Sequence, residues 1–412
     1  MAYTDFIAAI DLGSSHMVGM VGAKGPAGTL SIIAYEVENS GTCIRRGCVY
    51  NVKETASKIK RLILKLENKL GGTKIGQVYV GLGGQSLRSI EHTVCKVLGT
   101  EGVVTEEIID SLYQECKDYR PDMLTVLDVV SPSYFLDDKP ESNPVGVPCS
   151  RIEARYKLIV GRPSLKLNII NSISEQAKIE IAGILVSPLA LGDVVLSDNE
   201  KDLGCALIGF GAGVTTISVY KGGKLASLSV VPFGGNLITK DITNLRVVES
   251  EAERLKITYG SAKADRDNDM TIQVSLADGM GLREIKLAEL NGVIEARMDE
   301  ILENVYARLE ATGLMSVLGA GIVITGGGAA LKNLPAVMSE RLKMEVRYSA
   351  VRKGVVASGD LVVASNPEYA VAVGLLAKGT KNCALYIPPK PEPKIEPVVE
   401  PEPTVEPTPE PV

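Results

Sequence analysis

The chain has 412 residues, with 44 Lys and Arg against 50 Asp and Glu, a net charge of −6, no Trp and 4% aromatic residues. That length suffices for about two to three domains. The charge balance and the shortage of aromatic rings exclude a large basic surface for phosphate backbones and a stacking platform for single-stranded nucleic acid. Seven cysteines include no CxxC pair, and His16 and His92 are the only histidines. A disulfide framework, a zinc knuckle and a histidine-based metal site or triad are therefore disfavoured. The thiols read as reduced and mostly buried in a cytosolic protein. The N-terminus has no basic region or cleavage signal, and no run of about 18 apolar residues reads as a membrane span.

Phe6 to Asp11 reads as an apolar strand that ends at Gly13-Ser14-Ser15, with a second strand at Met17 to Val21. This is a hairpin with a small-residue turn. Leu30 to Val37 is a further strand. Val52 to Leu70 is a helix, because Ile59, Leu62, Ile63, Leu66 and Leu70 share one face, and Gly71-Gly72 stops it. Its Lys and Arg residues from Lys53 to Lys69 read as the solvated face. Gln77 to Gly81 is again a strand. A less regular insert follows, with a helix near Thr105 to Tyr119 and a strand at Ile152 to Val160. Leu165 to Ile181 reads as helix.

The opening pattern then recurs. Cys205 to Gly209 is a strand, followed by a glycine-and-hydroxyl turn and a strand at Ile217 to Tyr220. Ile10 to Ser15 laid over Gly209 to Val214 matches in shape, which predicts two related domains facing one another. Gly234-Gly235 opens helices near Asn236 to Asn244 and Val248 to Tyr259. A polar stretch from Ser261 to Met280 precedes a long helix at about Leu287 to Thr312. Gly321 to Thr325 is a buried strand broken by Gly326-Gly327-Gly328, and Tyr369 to Leu376 is the last helix. From Pro388 to Val412 stand ten Pro, six Glu and two Lys, a net −4. That segment cannot bury apolar area and reads as a disordered or extended tail.

Three glycine-rich turns thus follow apolar strands, at Asp11 to Ser15, Gly209 to Thr216 and Thr325 to Ala329. Glycines let a backbone approach an anion, and N–H groups in such turns form a nest for it. Ser14, Ser15, Thr215 and Thr216 add hydroxyl donors. Asp11 is placed to hold a hydrated Mg²⁺ against phosphates. Each turn alone is an ordinary tight turn; together they point to a nucleotide. GxxxxGK[ST] is absent, which excludes a P-loop. Gly209-Phe210-Gly211-Ala212-Gly213 does not match GxGxxG, which argues against a dinucleotide-binding domain.

This set resembles the actin, sugar-kinase and heat-shock chaperone superfamily, and within it the FtsA family of bacterial cell-division proteins. The resemblance rests on Asp11-Leu12-Gly13-Ser14-Ser15, Gly41 to Gly47, Asn143-Pro144-Val145-Gly146 with Ser150-Arg151-Ile152-Glu153, and Leu196 to Gly204. It continues through Val231-Pro232-Phe233-Gly234-Gly235-Asn236, Ile238 to Ile242, Ala252-Glu253-Arg254-Leu255-Lys256 and Ile324-Thr325-Gly326-Gly327-Gly328. It covers Asp5 to about Lys378.

The resemblance implies an α/β, actin-like two-domain ATPase fold with an FtsA-type insert subdomain. The first domain is expected at 1–83 plus 163–195, the insert at 84–162, and the second domain at 196–387 with a smaller subdomain at about 234–312. The tail is 388–412. The resemblance further implies ATP and Mg²⁺ in a cleft. Asp11, Gly13, Ser14 and Ser15 are expected at the first phosphate turn, with Asp11 on the metal. Gly211, Gly213, Thr215 and Thr216 are expected at the second, followed by Gly234, Gly235 and Asn236. Glu253 and Lys256 are expected on the nucleoside, and Gly326, Gly327, Gly328 and Ala329 at the adenosine turn. Gly209 stands where the family's second turn usually opens with Asp, which implies weak or absent hydrolysis. His16, where a basic or small residue is common, reads as a solvent-edge hairpin residue.

The function implied is a self-polymerising protein that tethers FtsZ filaments to the inner face of the cytoplasmic membrane and recruits later division proteins. The family's membrane helix, at the C-terminal end, is not seen in these 412 residues. Glu295, Arg297 and Glu300 on the long helix read as surface pairs, with docking of the FtsZ C-terminal peptide as the rival role. A small-molecule kinase, or a filament or pilus-assembly ATPase of the same fold, is the alternative reading.

Overall fold

The computed structural model describes residues 5–385 except 27, 100–101, 276–280, 350, 358–359, 361–362 and 364. The Pro/Glu tail therefore lies outside the described residues, as does part of the polar stretch before the long helix.

Two five-stranded sheets carry the architecture. In the first, Ile7–Leu12, His16–Lys24 and Leu30–Asn39 form an antiparallel meander, and Gln77–Leu82 and then Glu180–Val186 add in parallel on the other side of Ile7–Leu12. In the second, Cys205–Phe210, Thr215–Lys221 and Lys224–Val231 form the same meander, and Ile322–Thr325 and then Val346–Tyr348 add in parallel to Cys205–Phe210. Strand order and direction are the same in both. The two central strands are apolar almost throughout, as expected for strands buried on both faces.

The registers correct the overlay read from the sequence by one residue. Leu12 pairs with Met17 and Phe210 with Thr215, so Asp11, not Ile10, is the counterpart of Gly209.

The helices Ser187–Val195 and Ala370–Lys378 pack on each other, Ala370–Lys378 against the first sheet and Ser187–Val195 against the Thr215–Lys221 strand. Their contact is backbone-close: a Cβ on Gly374 would lie 2.3 Å from the Ala190 carbonyl oxygen. Their apolar faces join Cys205, Leu207, Tyr220 and Val323 to the core of the first sheet. A second core lies between the other face of the second sheet and the long helix Leu287–Glu310.

The Val52–Lys69 helix forms as its spacing predicts. Asn51 caps it, its side chain accepting from the Glu54 N–H at 3.1 Å. Ile59, Leu62, Ile63 and Leu66 are buried. Its basic face is ordered by the neighbouring strand: Arg61 and Lys65 pair with Glu38 at 2.7 and 2.9 Å, and Lys69 with Glu36 at 2.7 Å.

The helix expected over Leu165 to Ile181 is shorter. It runs Ser164–Ile170, widens into a π-helical stretch at Asn171–Ala177 and ends where Lys178 turns left-handed at φ 61°. The remaining apolar residues form the Glu180–Val186 strand.

Arg88–Val97, Thr125–Leu136, Lys139–Glu141 and Arg151–Gly161 form a separate antiparallel sheet. The Glu106–Asp118 helix packs on it through Leu112 and Cys116, and its core is its own. This sheet touches the second five-stranded sheet at its edge strand Lys224–Val231. There Ser89 Oγ accepts from the Leu228 N–H at 2.8 Å, and Lys224 Nζ donates to the Pro132 carbonyl at 2.5 Å.

Candidate functional site

The turns that follow the two central strands, Gly13–Ser15 and Gly211–Val214, face each other across a cleft. Its inner chamber, of about 160 Å³, is lined by Asp11, Ser14, Gly209, Gly211, Gly213, Thr216, Thr325 and Gly326, with Ser187 and Gly83–Gly84 behind. Outward, past Ser15 and His16, the walls become Gly235, Asn236, Glu253, Lys256 and Gly326–Gly328. Farther on lies a slot between Gly327–Gly328, Ile238, Ile257 and Leu331. The three spaces share walls and form one cleft.

The approach of the two turns is tight. A Cβ on Gly213 would stand 2.4 Å from Ser14 Oγ and 3.0 Å from Arg46 Cα. Ser14 Oγ accepts from the Gly47 N–H at 2.8 Å, which leaves its own proton to donate. Asp11, next to last in the Ile7–Leu12 strand, lines the chamber. Burial pushes its pKa up to about 6, partly offset by the Leu12 N–H. A carboxylate whose charged form is disfavoured in this way gains from any cation brought near it.

The second turn is held from behind. Gly211 N–H closes onto the Val214 carbonyl at 2.9 Å, Gly235 N–H donates to the Gly211 carbonyl at 3.0 Å and Asn236 N–H to the Ala212 carbonyl at 2.8 Å. A Cβ on Gly234 would meet the Gly211 and Ala212 carbonyl oxygens at 2.5 and 2.6 Å. Gly234, Gly235 and Asn236 thus fix the shape of that turn. Glu253 and Lys256, one helical turn apart, pair at 2.7 Å, and Lys256 Nζ also donates to the Gly235 carbonyl and to Thr239.

Two candidate residues turn away from the cleft. Thr215 is fully buried and its hydroxyl donates to the Phe233 carbonyl at 2.9 Å. Thr216, next along the strand, takes the cleft side, since successive strand residues face opposite ways. Ala329 is buried in the core beside the long helix. Gly326 is left-handed at φ 87°, and a Cβ there would strike the Phe210 carbonyl oxygen at 2.5 Å.

His16 is set deeper than a solvent-edge residue, at the cleft mouth. Asn366, Pro367 and Glu368, in the loop before the last helix, and Ser187 also line the cleft, and no local motif marks them. Among the described residues no group of three or more His, Cys, Asp or Glu side chains forms a metal cage. One carboxylate with hydroxyl neighbours suits Mg²⁺ brought in with phosphates, because Mg²⁺ keeps most of its waters. Thr325 Oγ1, buried beside the chamber, has no hydrogen-bond partner among the described residues, as expected of a wall that meets a polar ligand.

Glu295, Arg297 and Glu300 lie away from the cleft on the long helix. Arg297 grips Asp241 through two nitrogens, at 2.5 and 3.2 Å, and also pairs with Glu300. Glu295 pairs with Arg266 at 3.4 Å.

The comparisons agree with this architecture. In the solved PilM–PilN type IV pilus biogenesis complex, a chain 17% identical superposes with a TM-score of 0.62, over 90% of this chain and 97% of that one. MreB5 of Spiroplasma citri bound to ADP superposes with a TM-score of 0.51 at 15% identity, over 90% and 95%. These likenesses show an actin-like fold. Residues 206–374 match the family model described as cell division protein FtsA. The cell division protein FtsA of Porphyromonas gingivalis is 40% identical over 382 residues, which is 92% of this chain and 79% of that protein. The chain belongs to the FtsA family of cell division proteins.

Proposed function

We propose that the cleft binds ATP with Mg²⁺, and that the nucleotide-bound protein self-assembles and tethers FtsZ filaments to the inner face of the cytoplasmic membrane, where it recruits other division proteins. The observation that carries the nucleotide reading is the duplicated hairpin. Two glycine turns converge on one chamber whose single lining carboxylate is Asp11. The ADP held by the fold-mate MreB5 and membership in a cell-division family support the same reading.

In this reading Asp11 holds the hydrated cation, and Ser14 and the backbone of both turns receive the phosphates. Thr216 and Thr325 face the same space. Glu253 and Lys256 meet the ribose, and the slot over Gly327–Gly328 takes the base. Mg²⁺ supplies charge that offsets the triphosphate. Gly209 presents no carboxylate opposite Asp11, so ATP acts as a conformational ligand that favours the closed cleft. Arg297, Glu295 and Glu300 form the docking face for the FtsZ peptide. Titration calorimetry with ATP, with and without Mg²⁺, tests the site. Co-sedimentation with FtsZ, with and without ATP, tests the role. Binding of neither ATP nor FtsZ by folded protein would sink the proposal.

A further inference from the structure

The inner chamber continues past the two glycine turns. Its walls share Asp11, Ser14, Gly211 and Ala212 with the outer part of the cleft, whereas Ser187, Gly209 and Thr216 line the inner chamber only. With the base in the slot over Gly327–Gly328, the phosphates run inward and the third one comes last.

Two gaps at corresponding depths shape that inner end. Gly209 pairs with Thr216 on one side and Thr325 on the other, and cross-strand partners share a face. Gly209 brings no side chain, and Thr216 leans into the space: a Cβ on Gly209 would lie 2.6 Å from Thr216 Oγ1. On the first sheet, Gly81 in the Gln77–Leu82 strand leaves the other gap. A Cβ there would lie 2.5 Å from Ser187 Oγ and 3.2 Å from Asp11 Oδ1. Ser187 thus stands over the first sheet beside the carboxylate, and Thr216 stands on the second sheet.

Neither hydroxyl serves the fold. Ser187 opens the Ser187–Val195 helix without capping it, and among the described residues neither Ser187 Oγ nor Thr216 Oγ1 makes a hydrogen bond. A hydroxyl with a proton left to donate suits an anionic oxygen, which a carboxylate at position 209 would repel. We infer, resting on the nucleotide reading above, that Ser187 and Thr216 donate to the terminal phosphate of ATP from opposite halves of the molecule and so set a preference for ATP over ADP. A diphosphate stops at the turns, short of both hydroxyls. Bonding the third phosphate from both sides holds the halves together, so the closed state answers to the ratio of ATP to ADP through exchange, without turnover.

The test is titration calorimetry of ATP and of ADP, each with Mg²⁺, on wild type, Ser187→Ala, Thr216→Val and the double variant. Valine keeps the β-branched shape that suits the strand. Wild type is expected to bind ATP at least about twentyfold more tightly than ADP. Each single variant is expected to cut that ratio about fivefold, the range of one net hydrogen bond, and the double variant to bring it near one. Thermal melting of the nucleotide-free variants stays at the wild-type value. Wild-type protein that binds neither nucleotide would overturn the nucleotide reading itself. Equal affinity of wild type for ATP and ADP overturns the inference alone. So does the wild-type ratio kept in either single variant, or an equal loss of affinity for both nucleotides, which would assign the hydroxyls to the scaffold.

Discussion

Asp11 carries a stability cost that a bound cation would relieve. Its folded pKa of about 6 lies above the ordinary 3.8. Between those values the folded chain holds a proton that the unfolded chain has lost. The contribution of Asp11 to stability is therefore greatest below about pH 4, falls as pH rises toward 6 and stays reduced above it. Asp11→Asn is expected to stabilise the nucleotide-free protein at pH 7.5 by about 1–3 kcal/mol and to do nothing near pH 4, which urea melts at the two values would show. The same variant weakens Mg²⁺-dependent ATP binding; equal weakening without Mg²⁺ would assign Asp11 to the scaffold. Gly209 sets the opposite expectation. Steady-state phosphate release stays far below the ~10 s⁻¹ usual for enzymes. Gly209→Asp by itself will not raise it, because the new Cβ would stand 2.6 Å from Thr216 Oγ1.

The paired hairpins are the elements that matter most, and Gly213 is where they nearly touch. Gly213→Ala forces Ser14 and the Arg46 backbone away, since a 2.4 Å contact has no relaxed form. At least a tenfold loss of ATP affinity in calorimetry, with the far-ultraviolet circular dichroism spectrum unchanged, is the expected result. Much of this was legible in the sequence, because apolar strands ending in glycine and hydroxyl runs announce themselves. The opposite facing of Thr215 and Thr216 was missed, because the strand was expected to begin at Ile217 and begins at Thr215. The strand Glu180–Val186 was hidden because the apolar residues before it keep helical spacing until Lys178 turns left-handed. Glu368 and Pro367 could not be read as cleft residues, for their place depends on how the last helix packs against a strand more than 350 positions earlier.

Taken whole, the molecule has two copies of one sheet clasping a helix pair, with the third sheet leaning on the second copy. Arg297 ties the long helix to Asp241 at the end of the Gly235–Ile242 helix. Arg297→Ala is expected to reduce pelleting with FtsZ several-fold while ATP binding stays at the wild-type level; unchanged pelleting would move the docking face elsewhere. The contact at Leu228 has a different consequence. Lys224–Val231 ends the order of its sheet, so its outward backbone groups are open to any passing strand. Ser89 occupies one such group, and Lys224 reaches across to Pro132 beside it. On the first sheet, the Leu30–Asn39 edge is likewise covered, by Val355 and Asp360. The insert thus shields a sticky margin as well as forming a module of its own. A chain with the insert cut out and its ends rejoined would keep the nucleotide cleft but offer a bare ribbon edge, and its failure in solution would be aggregation rather than loss of ATP.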